Sequence, residues 1–158
     1  IALINLTYCG QDCKRIPPAL QKMYGPKVKY LDLSYNNIET LKGLDEFSRL
    51  EELILDNNQL GDAIALPHLP RLKTLSLNNN QLTDLEGLIT KLSGSLPALT
   101  YLSILSNKAC PNQLSDIDKD DSDYQRYSFR RFHTRITFFS PSFIRIDSVV
   151  SELLLGWF

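Results

Sequence analysis

LEELILDNNQL, residues 50–60, sets leucines at 50, 53, 55 and 60 around an asparagine at 58. Residues two apart in a strand share a face, which accounts for Leu53 and Leu55 but not for Leu50 or Leu60. A helical face would need steps of three and four sustained over several turns, and those are missing as well. What explains the stretch is its recurrence. VKYLDLSYNNI begins at Val28 and LKTLSLNNNQL at Leu72, so successive copies start 22 residues apart. In all three, aliphatic residues fill places one, four, six and eleven, and asparagine fills place nine as Asn36, Asn58 and Asn80.

Two further segments fit less closely. LTYLSILSNKA starts at Leu99, after a spacer five residues longer, and keeps Leu102, Ile104 and Asn107. IALINLTYCGQ, at the head of the chain, reads as a degenerate copy with Ile1, Ile4, Leu6 and Cys9 in the corresponding places. The linkers agree too: Ile38, Leu41, Leu44 and Phe47 step by three, and so do Leu60, Ala63, Leu66 and Leu69. Self-similarity at this period with LxxLxLxxN is the leucine-rich repeat signature. The expected fold is an α/β solenoid in which about five short parallel strands line a concave face and short helical or 3₁₀ segments line the convex one. Places four and six point inward from the strands, and place eleven and the linker residues close the core from behind. Asn36, Asn58, Asn80 and Asn107 are expected to form a buried ladder, because an amide offers two donor hydrogens and an acceptor oxygen to the backbone of adjacent turns. Each buried backbone group left unpaired would cost about 1–3 kcal/mol.

Composition narrows the class. The chain has 158 residues, 43% of them hydrophobic, and a formal net charge of −1. That balance excludes a polybasic nucleic-acid binder and a disordered chain and favours one globular, monomeric domain over residues 1–158. Its repeats start near residues 1, 28, 50, 72 and 99, with a helical cap over 108–150. No apolar run approaches the roughly 20 residues of a membrane span. The chain opens on Ile1 and not on methionine, which leaves a removed signal peptide or further upstream repeats open. Cys9, Cys13 and Cys110 make an odd count, which favours free thiols in a reducing compartment; a cysteine cap in CGQDCKRIPPAL would instead imply secretion and a disulfide.

Beyond Asn107 the repeat pattern stops. DIDKDDSDYQRY gathers Asp116, Asp118, Asp120, Asp121 and Asp123, but a calcium loop needs glycine and glutamate where Asp121 and Tyr127 stand. An acidic helix start fits better, and no metal site is expected. RYSFRRFHTRITFFSPS interleaves Arg126, Arg130, Arg131 and Arg135 with aromatic rings, which suits a capping helix in a slightly acidic chain better than nucleic-acid binding. In PSFIRIDSVV, Phe143, Ile146, Asp147 and Val150 match a closing strand-like LxxLD segment that seals a repeat core. His68 and His133 belong to no triad, metal spacing or phosphate loop, so neither enzymatic chemistry nor a cofactor is expected.

The concave face offers the remaining surface. With the first copy started at Ile1, place three reads Leu3, Tyr30, Glu52, Thr74, Tyr101 and place five reads Asn5, Asp32, Ile54, Ser76, Ser103. Place seven reads Thr7, Ser34, Asp56, Asn78, Leu105 and place eight Tyr8, Tyr35, Asn57, Asn79, Ser106. The candidate partner-binding residues are Tyr30, Asp32, Tyr35, Glu52, Ile54, Asp56 and Tyr101. Tyrosine is a favoured interface anchor, and an exposed Ile54 gains by being covered.

LEELILDNNQLGD, LPHLPRLKTLSLNNNQLTDLEGL, PALTYLSILSNKACPNQL and DKDDSDYQRY together resemble the family of leucine-rich melanocyte differentiation-associated proteins over about residues 28–127. The resemblance implies a non-enzymatic cytoplasmic adaptor at endosome or melanosome surfaces, tied to melanocyte differentiation. Its implied partners are a Rab-type small GTPase and an endosomal cargo-retrieval complex. Residues 128–140 depart from the family's cap, and SELLLGWF stands where the family carries a long polar, acidic tail, so a retrieval contact made by that tail would be lost here. The alternative is a ribonucleoprotein component that resembles the capped spliceosomal A-prime protein and uses the arginine-rich stretch.

Overall fold

The computed structural model describes residues 4–109 and the backbone of Arg145–Ile146. One strand per turn stacks into a single parallel sheet in sequence order: β1 (Ile4–Thr7), β2 (Val28–Asp32), β3 (Glu52–Ile54), β4 (Thr74–Ser76), β5 (Tyr101–Ser103) and β6 (Arg145–Ile146). The register is that of the repeat. Leu31, Leu53, Leu75 and Leu102 pair in one row, which Leu6 begins and Ile146 continues. Six strands stand where about five were expected; the sixth falls in the segment read as a closing strand. The rest of the 108–150 cap, with the acidic, arginine-rich and His133 segments, lies outside the described residues, Lys108 and Ala109 excepted.

Alternation fixes what is buried. Leu31, Leu33, Leu53, Leu55, Leu75, Leu77, Leu102 and Ile104, the residues of places four and six, are all 0–1% exposed. Val28, Leu50, Leu72 and Leu99 in place one, with Ile38, Leu60 and Leu82 in place eleven, complete one continuous core. No single turn could bury such a face alone, so each depends on its neighbours.

Two expectations need correction. The first repeat slips by two residues. Leu6 pairs with Leu31, and Tyr8 N–H donates to the Asp32 carbonyl at 2.8 Å as Leu33 N–H donates to that of Ile54 at 2.9 Å. Leu6 and Tyr8 therefore hold places four and six, and Cys9 holds place seven and not the asparagine place. A slip of two keeps every side chain on its face, so hydrophobic alternation cannot detect it. In the second linker Ala63 is exposed and Ile64 buried at 4%. A tight turn, with Ile64 N–H donating to the Gly61 carbonyl at 3.2 Å, moves the inward position on by one residue.

The convex side carries helix α1 (Pro18–Tyr24), 3₁₀ turns at Gly25–Lys27 and Leu44–Glu46, and helix α2 (Leu85–Ser95). The longer helix occupies the linker with five extra residues. Leu88 and Leu92 are buried in the core, with Leu85 and Ile89 packed beside them, an i, i+3, i+4 stripe on one face. Asp84 caps its start by accepting from Gly87 N–H at 2.9 Å. Gly25 lets successive turns approach: a Cβ there would lie 2.8 Å from the carbonyl oxygen of Glu46.

Candidate interaction face

The surface rests on a rigid back layer made by place nine. Asn58, 2% exposed, donates to the carbonyls of Leu33, Leu55 and Asp56 at 3.1, 3.0 and 3.2 Å and accepts from Ile38 N–H at 2.9 Å. Asn36 and Asn80 bind their own and the preceding turn in the same way. Asn107 does so as well and accepts from both Asn80 and Leu82 N–H at 3.2 Å. One amide per turn thus ties the chain where it leaves each strand.

In front of that layer, places three, five, seven and eight face outward. With the corrected first turn they read Asn5, Tyr30, Glu52, Thr74, Tyr101; then Thr7, Asp32, Ile54, Ser76, Ser103; then Cys9, Ser34, Asp56, Asn78, Leu105; and Gly10, Tyr35, Asn57, Asn79, Ser106. Across these places of five turns there is no lysine, arginine or histidine. Tyr30, Asp32, Ile54, Asp56 and Tyr101 are half-buried, whereas Glu52 and Tyr35 are exposed.

Short polar residues knit places five and seven together, which the sequence did not reveal. Asp56 Oδ1 accepts from Ser76 Oγ at 2.6 Å and Asn78 N–H at 2.9 Å, and Oδ2 accepts from Asn78 Nδ2 at 3.3 Å. Asn78 Oδ1 in turn accepts from Ser103 Oγ and Leu105 N–H, each at 2.7 Å. Asp32 Oδ1 accepts from Ser34 Oγ at 2.6 Å and Ser34 N–H at 3.0 Å. Ser34, Ser76 and Ser103 are consequently buried, although their places face outward. Serine two places from aspartate on the same or the next copy, and asparagine in the place of aspartate on the next, are the only trace of this network in the sequence.

The network shapes the charge. Burial alone would push the Asp32 carboxyl up, but the Ser34 hydroxyl and N–H, with the Cys9 thiol, hold it below the usual carboxylate value. Burial pushes the Tyr30 phenol up, and the nearby Asp32, Glu52, Cys9 and Asp56 push it further. The face therefore presents Asp32 as an anion and Tyr30 as a neutral hydroxyl. The Cys9 thiol is free, its Sγ lies 3.8 Å from the Asp32 carbonyl oxygen, and burial with the Asp32 carboxylate raises its pKa. Cys13 is free as well. Along the rim, place two carries a separate ladder in which Glu51 bridges Lys29 at 3.3 Å and Lys73 at 3.0 Å.

A parallel sheet of one short strand per turn, backed by a buried asparagine ladder, defines a leucine-rich repeat module. The family model described as leucine-rich repeats (2 copies) matches residues 26–68 and 70–121, and the chain belongs to that family. More particularly, it is 59% identical over 102 residues to the human leucine-rich melanocyte differentiation-associated protein. That alignment takes in 63% of this chain and 52% of the relative, so the chain spans about half the length of the curated relative it matches. Among the described residues no helix is long and apolar enough to cross a membrane, and no group of three or more His, Cys, Asp or Glu could hold a metal ion.

Proposed function

We propose that this protein is a non-enzymatic adaptor that binds a folded protein partner through its concave sheet face. A Rab-type small GTPase is the partner class, with a role in endosomal or melanosomal trafficking and in melanocyte differentiation from the cytoplasmic side. The observation that carries the reading is the make-up of the four outward columns. Tyr30, Tyr35 and Tyr101 stand with half-buried Ile54 around Asp32, Glu52 and Asp56, and over the first five turns no cation stands in those columns, Arg145 of the sixth strand following Tyr101 in the register of place three. Aromatic and apolar side chains concentrate binding energy in such faces. The carboxylates accelerate encounter and reject acidic partners more than they add affinity. The name of the human relative supports the tie to melanocyte differentiation. An endosomal retrieval complex is the second partner that the family resemblance implies, through a contact that does not use the tail SELLLGWF replaces.

Purified Rab-type GTPases, each loaded with GTP or GDP, should be titrated against the protein by calorimetry. At least one member should bind, and Ile54→Asp should weaken it by about tenfold or more, equivalent to about 1.4 kcal/mol. A panel with no binder, or binding indifferent to Ile54→Asp, would contradict the proposal.

A further inference from the structure

Place eight is where each turn leaves its strand through the left-handed region of backbone space. Gly10, Tyr35, Asn57, Asn79 and Ser106 have φ of 65°, 57°, 56°, 51° and 56°. Glycine has no Cβ to meet the following carbonyl and asparagine offsets that contact through its short polar side chain, whereas a bulky residue has neither relief. Tyr35 is the one bulky residue of the five. It is also 67% exposed, so the core does not compensate the strain. Next to it the column forms an amide ladder, with Asn79 Nδ2 donating to Asn57 Oδ1 at 2.5 Å, and that ladder stops at Tyr35. Its base is fixed nonetheless. The Tyr35 N–H donates to the Asp56 carbonyl at 3.0 Å, and the next residue, Asn36, is a buried rung of the back layer.

We propose that Tyr35 is a fixed aromatic anchor for an arginine on the protein partner, kept in a turn that the fold alone would give to asparagine or glycine; the inference rests on the concave-face reading above. A residue that breaks a local rule without gain inside the fold points to a use outside it. The charge of the face selects the ligand. Asp32 and Asp56 already accept hydrogen bonds from Ser34, Ser76 and Asn78, so they set a negative potential more than they pair directly. A tyrosine ring attracts a cation over its face. A planar guanidinium stacks there better than a lysine ammonium, which is compact and more strongly hydrated.

The test has two arms. In the first, Tyr35→Asn relieves the turn and continues the amide column, so its denaturation midpoint should rise above that of wild type. An unchanged or lowered midpoint would mean that the fold uses Tyr35 for itself, and would overturn the inference. In the second, short random peptides are selected by display on the wild-type protein. The recovered peptides should carry arginine, bind Tyr35→Asn about tenfold or more weakly, and lose affinity when that arginine is exchanged for citrulline. Peptides that depend on Ile54 and Tyr30 but ignore Tyr35→Asn would overturn the anchor and leave the concave-face reading standing. Recovery of no peptide, or of peptides indifferent to all three residues, would overturn both.

Discussion

The Asn58 side chain meets four backbone groups, and three of those hydrogen bonds are buried. Asn58→Ala orphans the buried Ile38 N–H in the middle of the stack, whereas the carbonyls of Leu33 and Leu55 keep the amides of Asn36 and Asn80. The expected cost is about 1–3 kcal/mol in denaturant unfolding. Lys42→Gln, at an exposed position of the convex side, should stay within about 0.5 kcal/mol. Lys73 is a poorer control than its place on the surface suggests, because it pairs with Glu51. Equal midpoints for Asn58→Ala and Lys42→Gln would contradict the ladder's role. At the same scale, Tyr30 titrates above its ordinary value of 10.0. Its contribution is present below that value and lost as pH rises through the folded value, so Tyr30→Phe should flatten the alkaline fall in stability.

Helix α2 depends on two aspartates in series. Asp62 accepts from Thr83 N–H at 2.8 Å and Asp84 N–H at 3.0 Å, and Asp84 then caps the helix through Gly87 N–H. Asp84→Ala should cost about 1 kcal/mol. The Asp84 N–H, followed by the Thr83 hydroxyl and N–H, holds the Asp62 carboxyl below its ordinary value of 3.8. A depressed carboxyl stabilises the fold fully above that value, and the contribution is lost as pH falls through the folded value. Asp62→Asn should therefore make stability less dependent on pH below about 4; an acid limb as steep as that of wild type would contradict it. These elements also mark how far the sequence could be read. The inward leucines and place nine follow from a period of 22 residues, and the structure lays them out in that register. The first strand was misplaced because a shift from Ile4 to Leu6 preserves the alternation. Ala63 was misread because a Gly61 turn breaks a three-step pattern that the side chains alone suggest. Five extra residues before Leu99 announced an irregular turn, but only their packing makes them the helix on which Leu88 and Leu92 sit.

At the scale of the molecule, the described residues offer one open sheet face, since its other face and the turns behind it enclose the core. That Tyr30, Asp32, Ile54 and Asp56 stand in outward places was legible from alternation. What they do there was less so: hydrogen bonds from Ser34, Ser76 and Asn78 convert two free-looking aspartates into a fixed electrostatic background, and no periodicity encodes them. A surface of this kind should bind with modest salt dependence, whereas phosphate contacts made through arginines would weaken steeply with salt by counterion release. The most direct measurement compares two double variants, in titrations with a GTPase bound by wild type, after circular dichroism and melting have established their folds. Tyr30→Ala with Ile54→Asp should abolish binding while melting close to wild type, because both side chains face away from the core. Arg130→Ala with Arg131→Ala should bind as wild type does. Loss of binding in the arginine pair with binding retained in the concave pair would contradict the assignment of function to this face.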